Sequence, residues 1–220
     1  MQKNLITIIS LLLMCAISAN AQSDSITTSA APEAVDLGLP SGTLWAACNV
    51  GANAPEEYGD YYAWGETETK ASFKRDEYSL IKPGQENVMP IRRAFTDLGK
   101  DIAGTKYDVA VQKLGNGWQM PSITQAQELE QYCTWEWTSI NGTNGYKVVS
   151  KKNGNSIFFP AAGSKASQRT SNMNLYGLYW LSTMYSASDA YNWLLQQGSD
   201  QRRQMSLRSM GYSVRAVKTK

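Results

Sequence analysis

The amino-acid sequence predicts a protein of the α+β class, in which short antiparallel strands and about two short helices are joined by much loop. Three observations favour this class. Short runs rich in β-branched and aromatic residues follow one another through the second half of the chain, with turn-forming residues between them. Two segments carry helical signals. No internal repeat of fixed period is present, which argues against a solenoid or a propeller.

The chain has 220 residues, enough for one domain with its own hydrophobic core. Residues 1–21 predict a signal peptide, because Lys3 precedes a short apolar run that ends in an A-x-A cleavage signal at residues 19–21. Residues 22–34 are small and polar and predict a flexible linker. We therefore expect a single domain over residues 35–218. The mature chain would have no membrane span and would be periplasmic, at the cell surface or secreted.

The first elements of the domain are strands and loop. Residues 35–50 predict two short strands on either side of a turn at residues 40–42. Residues 65–105 are polar and weakly patterned, and they predict a surface excursion with a short helix near residues 91–98.

Two helices are predicted next. Residues 108–115 form a short helix closed by Gly115. The clearer helix begins at Ser122, which forms a capping box with Gln125. The apolar residues that follow at helical spacing predict its buried face: Ile123, Ala126 and Leu129.

The remainder of the chain is predicted as strands. Residues 146–163 form two β-rich runs around Asn153-Gly154, which is a strong hairpin signal. Four further short runs are separated by turn residues, and they cover residues 178–185, 190–196, 204–209 and 212–218.

The composition excludes several classes of function. The chain contains no histidine, so nucleophile systems that need a histidine base cannot be built, and most zinc sites are excluded as well. A net charge of +2 with no cluster of basic residues does not favour a nucleic-acid partner. No set of oxygen ligands suggests calcium. We therefore expect no metal and no cofactor.

Residues 58–66 combine aromatic and acidic side chains, as a glycosidase cleft would. In an extended strand, Asp60 and Glu66 would lie about 20 Å apart, whereas paired catalytic carboxyls lie about 5–10 Å apart. Glu66 and Glu68 could approach each other, so a carboxylate-dependent glycan-acting enzyme stays as a second alternative. Tyr62 and Trp64 are expected to pack inward.

The region of residues 183–209 has the composition of a recognition surface, with aromatic, arginine and amide side chains. The candidate ligand-binding residues are Tyr185, Asp189, Tyr191, Gln196, Arg202, Arg203, Gln204 and Arg208. The alternative is that these arginines form an ordinary solvated face. Trp180 and Trp193 are expected in the core, and Trp135 and Trp137 on one face of a strand.

Cys48 and Cys133 are the cysteines that remain after the predicted signal peptide. In an oxidising compartment they could form a disulfide, worth about 4 kcal/mol in the chain-entropy model. They could equally remain two separate buried thiols, which behave as small apolar side chains.

A series of segments resembles one known family. The segments that carry the resemblance occur in order along the chain, at residues 35–52, 58–66, 116–122, 133–138, 144–163, 178–183 and 211–218. Together they resemble the Fibrobacter succinogenes major paralogous domain family, which is abundant in secreted proteins of gut Bacteroidetes. The match runs from about Val35 to Lys218.

The resemblance implies a C-type lectin-like fold of the formylglycine-generating-enzyme subgroup, with a ligand face in the C-terminal third. The oxidase of that subgroup needs a late pair of copper-binding cysteines, and here no cysteine follows Cys133. Because the family generally has no assigned activity, we expect a non-catalytic module that binds a glycan or a protein. The first alternative is a structural or adhesin subunit of a surface assembly.

Replacing Arg202 and Arg203 together by alanine should leave the melting temperature nearly unchanged. Exposed substitutions usually alter the free energy of unfolding by no more than about 0.5 kcal/mol. The same double substitution should weaken the binding of any ligand at this surface, as measured by titration against the wild type. Unchanged binding would mean that the ligand contacts another part of the protein.

Overall fold

The fold is taken from a computed structural model, which describes residues 31–85, 89, 94–115, 117–199 and 202–220. The predicted signal peptide and most of the predicted linker lie outside these residues. The helix predicted near residues 91–98 lies partly outside them. Its described part is not helical, because Phe95 instead pairs with Ile81 in an isolated bridge.

The elements follow one another in this order. They are β1 (Ala34–Asp36), β2 (Thr43–Ala46), a 3-10 turn (Arg75–Glu77), α1 (Val109–Leu114), α2 (Ile123–Tyr132), β3 (Cys133–Ile140), β4 (Thr143–Ser150), β5 (Ser156–Pro160), β6 (Ser164–Ala166), β7 (Arg169–Ser171), β8 (Tyr176–Met184), β9 (Asp189–Gln196), β10 (Arg202–Leu207) and β11 (Val217–Thr219).

The strands form small antiparallel sheets. Three sheets have three strands each, in the orders β1-β2-β11, β3-β4-β5 and β10-β9-β8, and β6 pairs with β7. The first and last strands of the domain therefore share one sheet. Small antiparallel sheets with two α-helices and much loop confirm the α+β class predicted from the sequence.

Both predicted helices are present, and their ends follow from local chemistry. The buried carboxylate of Asp108 accepts hydrogen bonds from the backbone N–H groups of Ala110 and Val111 and so caps α1. Gly115 ends α1 with a φ of 57°. Ser122 and Gln125 form the predicted capping box at the start of α2.

Turn residues fix the sheet of β3, β4 and β5. Asn141 and Gly142 join β3 to β4 with φ values of 50° and 84°, the pattern of a tight hairpin turn that suits strand twist. The hairpin predicted around Asn153-Gly154 is confirmed between β4 and β5, with a loop over residues 151–155.

Tryptophans form much of the core, and the predicted burial of Trp64, Trp180 and Trp193 is confirmed. The indoles that are at most 2% exposed are those of Trp45, Trp64, Trp118, Trp180 and Trp193. Trp135 and Trp137 are half-buried on one face of β3, and their rings lie 5.7 Å and 5.0 Å from that of Tyr146 on β4. Trp135 also packs edge-to-face on Trp193 at 5.1 Å, which joins the β3-β4-β5 sheet to the β10-β9-β8 sheet.

Cys48 and Cys133 are unpaired and buried, so the disulfide considered from the sequence is not formed. The Cys48 thiol, in the loop after β2, donates to the carbonyl of Ala52 at 3.2 Å. Cys133 opens β3 inside a hydrophobic cluster with Leu129 and Val148, and burial raises the pKa of its thiol to about 11. The two cysteines are therefore separate buried thiols, which was the alternative to a disulfide.

Arg215 is 1% exposed and lies just before β11. Its Nη1 donates to the carbonyls of Ala46 and Ala47 at 3.1 and 3.0 Å, and its Nη2 to that of Phe158 at 2.8 Å. Nε donates to Asn49 Oδ1 at 2.9 Å. Burial lowers the pKa of this guanidinium to about 10. The side chain thus connects the end of β2 to β5.

Replacing Arg215 by methionine should lower the free energy of unfolding by about 3 kcal/mol or more, because several buried acceptors would lose their donor. Chemical denaturation followed by circular dichroism measures the change. Arg169→Met is the matched control, since Arg169 is exposed on β7 and should change stability by no more than about 0.5 kcal/mol. Equal stability of the two variants would contradict the role given to Arg215.

Candidate functional site

The predicted ligand-binding residues lie on and beside the sheet of β8, β9 and β10. Side chains that are opposite each other in the register share a face of the sheet, and faces alternate along each strand. Met205 is opposite Tyr191, and Arg203 is opposite Trp193. One face of this sheet therefore carries Tyr191, Arg203 and Met205 together.

Tyr185 extends this face beyond the end of β8. Its ring packs edge-to-face on that of Tyr191, with the ring centroids 5.3 Å apart. Tyr185 is 51% exposed and Met205 is 48% exposed, whereas Tyr191 is half-buried against the core. We call the four residues Tyr185, Tyr191, Arg203 and Met205 the tyrosine surface. Exposed aromatic and methionine side chains beside an arginine are typical of recognition surfaces.

Arg203 also contacts helix α2. Its Nη2 lies 3.9 Å from Glu130 Oε2, and the two side chains are 31% and 22% exposed. Burial raises the pKa of Glu130, although the nearby arginine lowers it. At this separation the pair is loose, so the guanidinium retains donors that a ligand could use.

Asp189 shapes the turn between β8 and β9. Its Oδ2 accepts hydrogen bonds from Ser186 Oγ at 2.8 Å and from Ser188 Oγ at 2.6 Å. Its backbone N–H donates to Ser186 Oγ at 3.1 Å. The carboxylate is thus occupied within the turn that precedes the tyrosine surface, and it supports the position of Tyr185.

Two of the remaining candidates lie on the other face. Gln204 is opposite Asn192, so it does not share a face with Arg203; the Cα of Arg202 is paired with that of Leu194 in the register. Gln196 ends β9 on this same face and is exposed. The sequence-predicted set is therefore divided between two faces.

The prediction that Arg208 binds a ligand is wrong, because its side chain is fully buried and no ligand could reach it. Its Nε donates to the Tyr78 hydroxyl at 3.1 Å, and its Nη1 donates to the carbonyls of Thr96 and Ala187 at 2.9 and 3.0 Å. The guanidinium also lies over the ring of Trp64, 4.8 Å from its centre. Arg208 joins distant loops and belongs to the interior.

The aromatic and acidic segment at residues 58–66 is mainly structural. Tyr62 and Trp64 are buried as predicted, and Trp64 Nε1 donates to the carbonyl of Leu181 at 2.8 Å. The segment is not a continuous strand, since Tyr62 forms only an isolated bridge with Tyr212. It ends at Glu66, whose side chain is only 8% exposed.

Glu66 and the nearby Glu68 are each paired with a lysine. Glu66 lies 2.6 Å from Lys70 Nζ, and Glu68 lies 2.7 Å from Lys113 Nζ. Both glutamates line a cavity of about 540 Å³. Because the carboxylates of Glu66 and Glu68 are each paired with a lysine, neither is well placed to act as a general acid or a nucleophile.

Met205 is the member of the tyrosine surface that the sequence reading missed. The signal was present, because residues two apart on a strand share a face, and Met205 follows Arg203 by two. The sequence also did not predict a cavity elsewhere in the fold. It measures about 800 Å³ and lies between β1 and the β3-β4-β5 sheet, far along the chain from the tyrosine surface.

Comparison with protein-family models, with curated proteins and with solved structures finds no match for this chain. Among the described residues, no group of three or more acidic or cysteine side chains could hold a metal ion. In the same part of the chain, no helix has the length and apolar character needed to cross a membrane.

Stability should fall as the pH rises from about 10 to about 12. Burial raises the pKa of Tyr61 to about 12 and also raises the pKa of Tyr62 and Tyr179, whereas an unfolded tyrosine has a pKa of about 10. A raised pKa in the folded state means that the stability is fully present below the unfolded value and is lost as the pH approaches the folded value.

Urea unfolding followed by circular dichroism between about pH 8 and about pH 12 measures this loss. Tyr61→Phe removes one such phenol and should reduce the slope by up to about 1.4 kcal/mol per pH unit. A free energy of unfolding that stays constant over this range would contradict the burial of these phenols.

Proposed function

We propose that this protein is an exported, non-catalytic binding module that recognises a glycan or a protein through the tyrosine surface. The single observation that carries the proposal is the edge-to-face pair of the exposed Tyr185 and the half-buried Tyr191, beside Met205 and Arg203. Tyrosines provide a large contact area at low cost in conformational entropy, and an arginine adds forked hydrogen bonds.

The surroundings of this surface support recognition without chemistry. Asp189 is engaged by two serine hydroxyls, and Glu130 lies partly buried beside Arg203. A binding surface needs a rigid base, and here the half-buried ring of Tyr191 packs on the core while Tyr185 stays exposed.

The scaffold we propose is the C-type lectin-like fold of the formylglycine-generating-enzyme subgroup. Small antiparallel sheets, two helices and long loops are compatible with it. In that subgroup the ligand face is built from the C-terminal third of the chain, where the tyrosine surface lies. Export to the cell envelope or beyond is part of the same proposal and rests on the signal-peptide pattern of residues 1–21.

A structural or adhesin subunit is the second candidate, and one observation favours it. Strand β10 is an edge of its sheet. The backbone groups of Arg203 and Met205 point away from β9, and within the described residues they have no hydrogen-bond partner. An unpaired edge can associate with another chain. A carboxylate-dependent enzyme is less favoured, because Glu66 and Glu68 are each paired with a lysine.

Probing a printed glycan array with residues 22–220 tests the proposal directly. Binding should persist in the presence of a chelator, because no metal is required. Changing Tyr185 and Arg203 together to alanine should weaken binding at least about tenfold, as expected for residues at the centre of a contact. The matched control is Tyr132→Ala, since Tyr132 is 40% exposed at the end of α2, outside the tyrosine surface.

A stable complex purified from the native cell envelope would favour the structural subunit instead, if glycans do not bind. The same double variant then tells whether the tyrosine surface forms that contact. Binding of either kind that is unaffected by the double variant would overturn the site. Turnover of a glycan that is lost in Glu66→Gln would overturn the non-catalytic proposal.

A further inference from the structure

A groove of about 800 Å³ lies between β1 and the β3-β4-β5 sheet. We call it the β1 groove. It is lined by Glu33 to Asp36 on one side, by Asn155 to Phe158 on the other, and by Ala47, Pro55, Thr138 to Ile140 and Lys147. No member of the tyrosine surface lines it, and its volume is within the range of ligand-binding clefts.

One side of the β1 groove is an unpaired strand edge. The carbonyl of Glu33 accepts from the N–H of Ala47 at 2.9 Å, and Val35 is opposite Trp45 in the register. Because hydrogen-bonded positions alternate in antiparallel pairs, the backbone groups of Ala34 and Asp36 point away from β2. The N–H of Ala46 fits this pattern. It donates to the carbonyl of Ala216, the residue just before β11, at 2.9 Å, and not to Ala34.

The N–H and C=O of Ala34 have no hydrogen-bond partner in the described part of the chain. The carbonyl of Asp36 is different, because the side-chain amides of Asn153 and Asn155 donate to it at 2.8 Å each. Asn155 also lines the β1 groove. The edge of β1 is therefore free at its beginning and occupied at its end.

The opposite side of the β1 groove is a second unpaired edge. The N–H of Ser150 donates to the carbonyl of Asn155 at 2.9 Å, so Ile157 also bonds to β4, and Ser156 and Phe158 point away from it. The carbonyl of Phe158 is taken by Arg215 at 2.8 Å. Among the described residues, the N–H groups of Ser156 and Phe158 and the carbonyl of Ser156 have no partner.

We propose that the β1 groove binds an extended segment of another polypeptide, which adds a strand to the free edge of β1. Unpaired backbone donors and acceptors at a sheet edge are the groups that hold such a strand, and neighbouring side-chain pockets select its sequence. The groups that would bond to it are the N–H and C=O of Ala34 and, across the β1 groove, those of Ser156.

The side chains of the β1 groove define the chemistry of this segment. Val35 and Ile140 are half-buried and supply apolar surface, so aliphatic residues at alternate positions would face them. Lys147 and Glu33 are both exposed in the lining, so an acidic residue of the segment would be attracted to Lys147 and a basic one to Glu33. The carboxylate of Asp36 already lies 2.5 Å from Lys220 Nζ.

A glycan fits the β1 groove less well than a peptide does. Sugar rings bind well where an aromatic face is exposed. The one aromatic side chain lining this cavity belongs to Phe158, which is 3% exposed. The free groups are instead the backbone N–H and C=O pairs of strand edges, which match an extended peptide in spacing and direction.

The probe is a phage-displayed library of linear peptides, selected on immobilised residues 22–220. We expect enriched sequences with alternating aliphatic residues, whose synthetic forms bind in a fluorescence titration. Ala34→Pro removes the outward N–H while the bonds to β2 through Glu33 and Val35 remain, and proline is tolerated at strand edges. It should weaken peptide binding at least about tenfold. The matched control Ala34→Ser keeps the N–H and should bind like the wild type.

The peptide itself provides a second measurement. N-methylation of alternate backbone amides should abolish binding in one register and leave it intact in the other, because only alternate amides face β1. If Ala34→Pro fails to fold, Ser156→Pro carries the test, since Ser156 is the first residue of β5 and its N–H also points outward.

Failure to enrich any peptide, or equal binding to the wild type and the proline variants, would overturn this proposal. Self-association of the protein that Ala34→Pro abolishes would also overturn it, by assigning the β1 groove to a second copy. The double change of Tyr185 and Arg203 to alanine should leave peptide binding unchanged. The proposals for the β1 groove and for the tyrosine surface can therefore be contradicted independently of each other.

Discussion

The guanidinium of Arg215 is the interaction on which the arrangement of the sheets most depends. Its donors reach Ala46 and Ala47 at the end of β2, Asn49 in the following loop, and Phe158 in β5. No carboxylate accompanies it among the described residues, and oriented carbonyl dipoles and the ring of Phe159 at 4.7 Å stabilise the charge instead. Strands as short as these hold each other weakly, so one planar fork that joins two sheets has a large effect.

Local signals in the sequence predicted local structure correctly. The capping box of Ser122 and the glycine at position 115 need only neighbouring residues to act, and both are present. Local signals could not predict which arginines are exposed and which are buried. Arg203 is exposed and Arg208 is buried, although both follow the same turn, because Arg208 meets Tyr78 and Thr96 from distant loops.

In the candidate site, too, local composition predicted one part and contacts between distant segments determined the rest. Composition identified the region of β9 and β10, since aromatic and arginine side chains concentrate there. The register then divided those residues between two faces and brought Met205 beside Tyr191. The β1 groove left no signal in composition at all. Its lining comes from segments about a hundred residues apart, and its character lies in the backbone bonds that β1 and β5 do not make.

Both ends of the domain meet at strand β2. Because β1 and β11 each run antiparallel to β2, they run parallel to one another on its two sides. A pull between the two ends of the chain would draw β1 backward and β11 forward along the same axis. The hydrogen bonds of this sheet would then be loaded in shear at the same time, and would not break one after another. A module tethered by one end and carrying its load at the other would resist tension through its smallest strands.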